Sequence, residues 1–282
     1  MATTIAPRHS RRVVTAAGLL PAAAAALLLG GCGGSPPHGT ASAGEKGIGG
    51  KGVGPDSPPG STAGSGTVPE ATTFNTVPGA PKDTTPEGVT DGLVVHPTRP
   101  APVLDRPGGR RVATLPITEL GGPTWVPVVE TSGGWRRVLL PSRPNQASGW
   151  ISGAGLRTAH TPYTVRVDLA RRRLTLLKSA REAGRWKVAV GGAKTPTPPG
   201  RTFVMATLAP AGKKPSPIVL PLGAHSATLD TFGGGPGTVA LHGWPDASVF
   251  GKAVTHGCVR VPADALKALS RVPLGSLVFI SA

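Results

Sequence analysis

The stretch Val239-Ala240-Leu241-His242-Gly243-Trp244-Pro245, with its return Thr255-His256-Gly257-Cys258-Val259-Arg260-Val261-Pro262, decides how the rest of the chain is read. It gathers His242, His256 and Cys258 into one short segment. A free thiol titrates at about pH 8.5, so Cys258 attacks well only where a neighbouring imidazole takes its proton or holds its thiolate. His242 and His256 are the candidates. The apolar run Val239 to Leu241 predicts the end of a buried strand, with His242 at its tip. Gly257 lets the backbone turn closely before the thiol, so the amides around Gly257 and Cys258 could face a reacting carbonyl as an oxyanion hole. Such a frame serves acyl transfer. Zinc would need a further ligand or a paired-cysteine motif, and none accompanies these three residues. A serine mechanism would need a Gly-x-Ser-x-Gly elbow, which is missing.

Read as His-Gly, a loop, then Ser/Thr-His-Gly-Cys-x-Arg/Asn, the segment resembles the signature of the L,D-transpeptidase (YkuD) family. The likeness extends outward. Val165 to Leu169 followed by Arg173 to Leu176 resembles the family's opening hairpin. Pro196-Thr197-Pro198-Pro199-Gly200 resembles its Pro-Thr-Pro-x-Gly turn, and Asp264-Ala265-Leu266 resembles the helix after the cysteine. The resemblance implies a β-rich catalytic domain over residues 162–282 with a short helix after the cysteine. It implies Cys258 as nucleophile and His242 as general base and acid, with no metal and no cofactor. Gly243 stands where the family places an oxygen that orients the base, so that help must come from a main-chain carbonyl or from elsewhere. Gly243, Thr255, His256, Gly257 and Arg260 are the supporting residues. Direct chemistry and structural support are both open to His256; Arg260 could pair with a substrate carboxylate or brace its loop. His225 and Ser226 lie in the same domain with no spacing that connects them to the chemistry.

Composition bounds the remainder. The formal net charge is +16, yet the arginines are scattered, without a basic helix or aromatic-interleaved run, so an anionic envelope suits the chain better than nucleic acid. Arg8, Arg11 and Arg12 precede an apolar run from Val13 to Leu29 that ends in Leu29-Gly30-Gly31-Cys32, the pattern of an export signal. Its cysteine makes residues 1–31 resemble a bacterial lipoprotein signal with Cys32 as the lipidated residue. A Cys32–Cys258 disulfide is possible on count alone. Residues 32–92 are rich in Gly, Pro, Ser, Thr and Ala, and are expected to form a disordered tether reaching roughly 40 to 50 Å.

Residues 93–157 change character. Short apolar runs separated by Pro107-Gly108-Gly109, Gly121-Gly122-Pro123 and Ser132-Gly133-Gly134 predict a small all-β barrel. Gly133-Gly134-Trp135 and Gly149-Trp150-Ile151 resemble a bacterial SH3-like domain. Trp125, Trp135 and Trp150 would then either bind wall or fill the core. The whole chain is therefore expected to be mainly β.

Taken together, the resemblance implies an exported, lipid-anchored, monomeric L,D-transpeptidase that faces the cell wall. It would form 3→3 cross-links between peptidoglycan stem peptides and be acylated by carbapenems. An L,D-carboxypeptidase of the same fold and a non-catalytic wall-binding lipoprotein are the alternatives.

Overall fold

The computed structural model describes residues 68–212 and 214–282; the expected export signal, Cys32 and the first part of the expected tether lie outside them. The first half of the described chain carries β1 (Leu93–Pro97), β2 (Ala101–Leu104), β3 (Arg111–Leu115), β4 (Thr118–Glu119), β5 (Gly122–Pro123), β6 (Val126–Ser132), β7 (Trp135–Leu139), β8 (Ser148–Ser152) and β9 (Leu156–His160). Seven of these form one sheet in the order β3-β2-β8-β7-β6-β1-β9, while β4 and β5 pair separately. The sheet runs three residues past the expected boundary, because Leu93 to Pro97 pairs with Leu156 to His160 along its whole length. Trp150 is buried, whereas Trp125 and Trp135 are half-buried.

The second half begins with β10 (Tyr163–Asp168), β11 (Arg173–Lys178), β12 (Arg181–Lys187), β13 (Val190–Gly191), β14 (Gly200–Phe203), β15 (Val219–His225) and β16 (Thr238–Gly243). It closes with β17 (Ala253–Thr255), β18 (Val259–Val261), α1 (Ala263–Leu269) and β19 (Leu277–Ser281). The expected alternation is realised in β10: Val165 and Val167 are buried, Arg166 is exposed and Asp168 half-buried. Asp168 then accepts the Arg171 amide at 2.7 Å and fixes the turn into β11. A five-stranded sheet, β12-β11-β10-β19-β14, faces a three-stranded sheet, β15-β16-β18. Between them lies one apolar core, to which Val165, Leu174 and Ile280 contribute from the first sheet and Leu220, Leu241 and Val259 from the second. Helix α1 adds Ala265, Leu266 and Leu269 to it, and Trp186 donates its indole N–H to Asp264 at 2.7 Å.

The fold corrects the sequence reading of residues 68–92. They are not a free tether but a strap packed on the seven-stranded sheet, with Ala71 and Val77 fully buried. The Ala71 amide donates to Thr114, the Val77 amide to Arg143, and the Asp83 amide to Gln146. Asp83 is the anchor. Its carboxylate receives Nε and one terminal nitrogen of Arg201 at 2.8 and 2.7 Å, with both side chains 1% exposed. Composition suggested mobility because Pro, Gly and Thr supply little apolar area. Here the few apolar groups fill sites prepared by another part of the chain.

The two halves also share a core. Phe203, Met205, Leu277 and Phe279 pack in one cluster with Val95, Val103, Val126 and Ile151. The first half therefore rests against the outer side of the β14–β19 end of the five-stranded sheet.

His225 sits at this junction. Its Nε2–H donates to the Thr73 carbonyl at 2.8 Å, and its backbone exchanges two 2.8 Å hydrogen bonds with the Asn145 side chain. Burial pushes its pKa down from 6.5 to about 4, partly offset by the bond to Thr73. Between those values the unfolded chain takes up a proton that the folded chain refuses, so stability falls as pH drops through that window. The expected total is about 3 kcal/mol. Urea midpoints measured from pH 7 to pH 4 should show this loss, and His225→Gln should remove that portion of the slope.

Candidate active site

Parallel pairing of β16 with β18 sets His242 beside Arg260 and Leu241 beside Val259. Val239 and Leu241 on one strand, and Val259 and Val261 on the other, enter the core. Because side chains alternate along a strand, His242, Arg260 and Cys258 share the opposite face. Cys258 precedes β18 by one residue, which makes it a diagonal neighbour of His242. Strand spacing and rise put such α-carbons about 8 Å apart, a gap that a cysteine and a histidine side chain span.

His242 Nδ1–H donates to the carbonyl of Gly243 at 2.9 Å. A carbonyl can only accept, so the proton resides on Nδ1 and leaves Nε2 with a free lone pair. This is the tautomer a general base requires. The orienting oxygen, unassigned in the sequence, is thus the main chain of the very next residue. Gly243 is itself held: its amide donates to Ser216 Oγ at 2.7 Å, and a Cβ there would come within 2.9 Å of Leu266 Cδ2. A side chain at 243 would crowd the Leu266 side chain and the Ser216 hydroxyl that holds this strand end. Nothing in the sequence pointed to Ser216, because its role depends on a loop folding back beside β16.

The cysteine loop is tied from two directions. Thr255 Oγ1 donates to the Cys258 carbonyl at 2.6 Å and accepts the Gly257 amide at 3.2 Å. Thr197 Oγ1 donates to the Gly257 carbonyl at 2.8 Å and accepts the Gly191 amide at 2.9 Å. The Pro-rich turn thereby buttresses the Cys258 loop. Gly257 has φ +115°, in the region that favours glycine. Its amide is occupied by Thr255, so it is the Cys258 side of the turn, not the Gly257 N–H, that remains for an oxyanion.

Burial pushes the Cys258 thiol up, opposed by the Ala240 main-chain N–H and the Arg260 charge. Burial likewise pushes the His242 imidazole down, against the bond to Gly243 and with a smaller push from Arg260. Both shifts favour the neutral thiol beside a neutral imidazole. Cys258 is a free, half-buried thiol. Arg260 places its guanidinium 3.6 Å over the Trp244 ring, and its Nε is buried without a partner among the described residues. Trp244 in turn stands edge-on to His242, with ring centroids 6.0 Å apart. An apolar trough of about 410 Å³ runs past Gly243 and Trp244 between Ile218 and Leu266.

The other rim is formed by the loop joining β15 to β16. Phe232 at its tip is half exposed and stacks on His256, centroid to centroid 5.3 Å. His256 thus supports the rim through its ring face. Arg143, from the β7–β8 connection, donates to the Pro236 carbonyl at 2.6 Å and to the Asp230 carbonyl at 3.4 Å. The first half of the protein therefore holds a loop at the edge of the site. Arg143→Ala is expected to slow acylation about 5- to 30-fold, the equivalent of about 1–2 kcal/mol for charge-assisted bonds. The melting temperature should stay within a few degrees, and Arg143→Lys should recover part of the rate. Stopped-flow acylation with calorimetry separates the two effects.

The family profile for the L,D-transpeptidase (YkuD) catalytic domain matches residues 162–280. The YkuD protein of Bacillus licheniformis is 32% identical over 154 residues, covering 52% of this chain and 86% of that protein. The chain belongs to the L,D-transpeptidase (YkuD) family. The YkuD protein of Bacillus subtilis is 29% identical over 150 residues, covering 51% of this chain and 84% of its own length. Among solved structures, an L,D-transpeptidase from Mycobacterium smegmatis aligns at TM-score 0.36 and 14% identity, over 56% of this chain and 99% of that one. The catalytic domain of the L,D-transpeptidase from E. faecium aligns at TM-score 0.34 and 21% identity, over 44% and 100%. Membership of the L,D-transpeptidase family rests on the sequence relatives, and it makes this an acyltransferase-type fold with a cell-wall function. His242, Gly243, Thr255, His256, Gly257, Cys258 and Arg260 all fall within the matched residues.

Proposed function

We propose that this L,D-transpeptidase family member forms 3→3 cross-links in peptidoglycan through a Cys258 thioester. The thiol sulfur attacks the main-chain carbonyl that follows the L-centre of the third residue in a donor tetrapeptide stem. His242 Nε2 takes the thiol proton as the C–S bond forms. The tetrahedral oxyanion is stabilised by main-chain donors beside Cys258. Collapse breaks the amide C–N bond, and His242 returns the proton to the leaving D-alanine amine. The side-chain amine of a second stem then attacks the thioester, gives its proton to His242, and the C–S bond breaks to restore the thiol. Arg260, held flat against Trp244, turns its terminal guanidinium nitrogens to a substrate carboxylate. No metal or cofactor enters these steps.

The observation that carries this reading is the Nδ1–H bond from His242 to Gly243, which leaves Nε2 bare on the strand face that also bears Cys258. On the same reading, residues 1–31 direct export and Cys32 carries a lipid. The seven-stranded sheet then serves as an SH3-like brace on the wall side of the membrane. Intact-mass analysis after incubation with a carbapenem tests the chemistry. One adduct per chain, localised to Cys258, is expected. An adduct elsewhere, or none, contradicts it. Incubation with tetrapeptide muropeptides then distinguishes dimers, as proposed, from trimmed stems, which would mark transfer to water.

A further inference from the structure

The outer face of the five-stranded sheet carries a charged feature that the chemistry at Cys258 does not use. Val165, Val167, Leu174 and Leu176 enter the core, so the alternate residues Arg166, Asp168, Arg173 and Thr175 face outward. Strand register aligns Arg185, Thr175, Arg166 and Phe279 in one row, and Lys187, Arg173 and Asp168 in the next. Arg173 and Lys187 are thus direct cross-strand partners of like charge, an arrangement that costs the sheet stability in the absence of an anion.

These rows floor a groove of about 390 Å³ whose wall is the strap at Pro86 and Glu87. Four arginines line it, Arg166, Arg171, Arg173 and Arg185, against the carboxylates of Glu87 and Asp168. Arg171 is satisfied by Asp168 at 2.8 Å, and Arg185 is paired with Glu182 outside the groove. Arg166 and Arg173 have no carboxylate within ion-pair distance among the described residues. Arg166 lies 5.3 Å from the centroid of the Phe279 ring, which leaves its N–H edges available.

We propose that this groove binds a phosphodiester-linked polyanion. Guanidinium forks match phosphate oxygens in a bidentate way, and several forks around one cavity suit a ligand that repeats its charge. A concave site between strap and sheet takes a chain, whereas a bilayer surface is flat. The apolar core separates the groove from the face that bears Cys258, so a polymer held there leaves the nucleophile open. This inference does not depend on the acyl-transfer reading.

The test titrates the full chain with fluorescent poly(glycerol phosphate) at 50 and 200 mM salt. Saturable binding that weakens with salt is expected. Arg166→Gln with Arg173→Gln should raise Kd at least tenfold and flatten the log Kd against log salt slope by about 1.5, at roughly 0.7 to 0.9 for each phosphate that is no longer neutralised. The carbapenem adduct should be unchanged, and the melting temperature should not fall, since Arg173→Gln also relieves the like-charge pairing with Lys187. Equal loss from Arg99→Gln with Arg157→Gln, which lie outside the groove, would overturn the site. Equal affinity for poly-L-glutamate would overturn the phosphate assignment, and equal capture by phosphatidylglycerol vesicles would overturn the chain-shaped ligand.

Discussion

Cys258→Ala is expected to abolish both cross-linking and carbapenem adduct formation, because no other group on that face of β16 and β18 supplies a nucleophile for a thioester. His242→Ala should leave the thiol in place but slow acylation by about 10² to 10⁴, the range for loss of a positioned general base. The two variants separate the roles, since only the second should still be labelled slowly by iodoacetamide. The pH dependence follows from the resting pair. Burial lifts the thiol above its ordinary value and lowers the imidazole below 6.5. Alkylation of the free enzyme should therefore be slow at neutral pH and climb beyond pH 9. Acylation by a carbapenem, in which His242 takes the proton as the bond forms, should hold a plateau between those limits. It should fall on the acid side, below pH 6.5, as the imidazole becomes charged. Stopped-flow rates for both reagents across that range give the comparison. Alkylation that is already fast at pH 6 would indicate a preformed thiolate and contradict the neutral pair.

The largest stability effect is expected at the Asp83–Arg201 pair. Both side chains are 1% exposed, and Arg201 also donates to the Gly88 carbonyl and the Thr85 hydroxyl. Asp83→Ala leaves a buried guanidinium without its counter-charge, at a cost of about 3–5 kcal/mol. For a folded unit of this size that corresponds to a fall in melting temperature on the order of 10 °C. Replacing both partners with apolar residues, Asp83→Leu with Arg201→Met, should cost much less, because no lone charge remains. Denaturant midpoints of the single and double variants give the comparison. A single variant as stable as the parent would mean that the strap does not carry the junction.

This junction also bears on catalysis. The strap reaches β14 through Asp83, while Thr73 meets both the ring of His225 and, at 2.7 Å, the hydroxyl of Thr238. Thr238 begins the strand that ends at His242 and Gly243. The same strand is thus pinned at one end by the strap and at the other by Ser216 and α1. Such double anchoring keeps a diagonal Cys–His pair in register without any direct bond between their side chains.

The residues proposed to do the chemistry stand out in the sequence because their local order encodes them. A strand end places His242, a glycine turn presents Cys258, and the alternation in β10 and β11 sorts the core residues from the outward arginines. All three follow from backbone periodicity over a few residues. The tertiary structure alone decided which oxygen orients His242, what occupies the Gly257 amide, and how Thr197 and Ser216 brace the loops, since each depends on segments meeting from distant positions. It also decided that residues 68–92 pack. Their composition lacks the apolar area to order itself, but Ala71 and Val77 needed only a cavity in a sheet already built, and Asp83 a guanidinium 118 positions further along the chain. Local sequence fixes what a segment offers; whether the offer is taken depends on the surface that the rest of the fold brings to it.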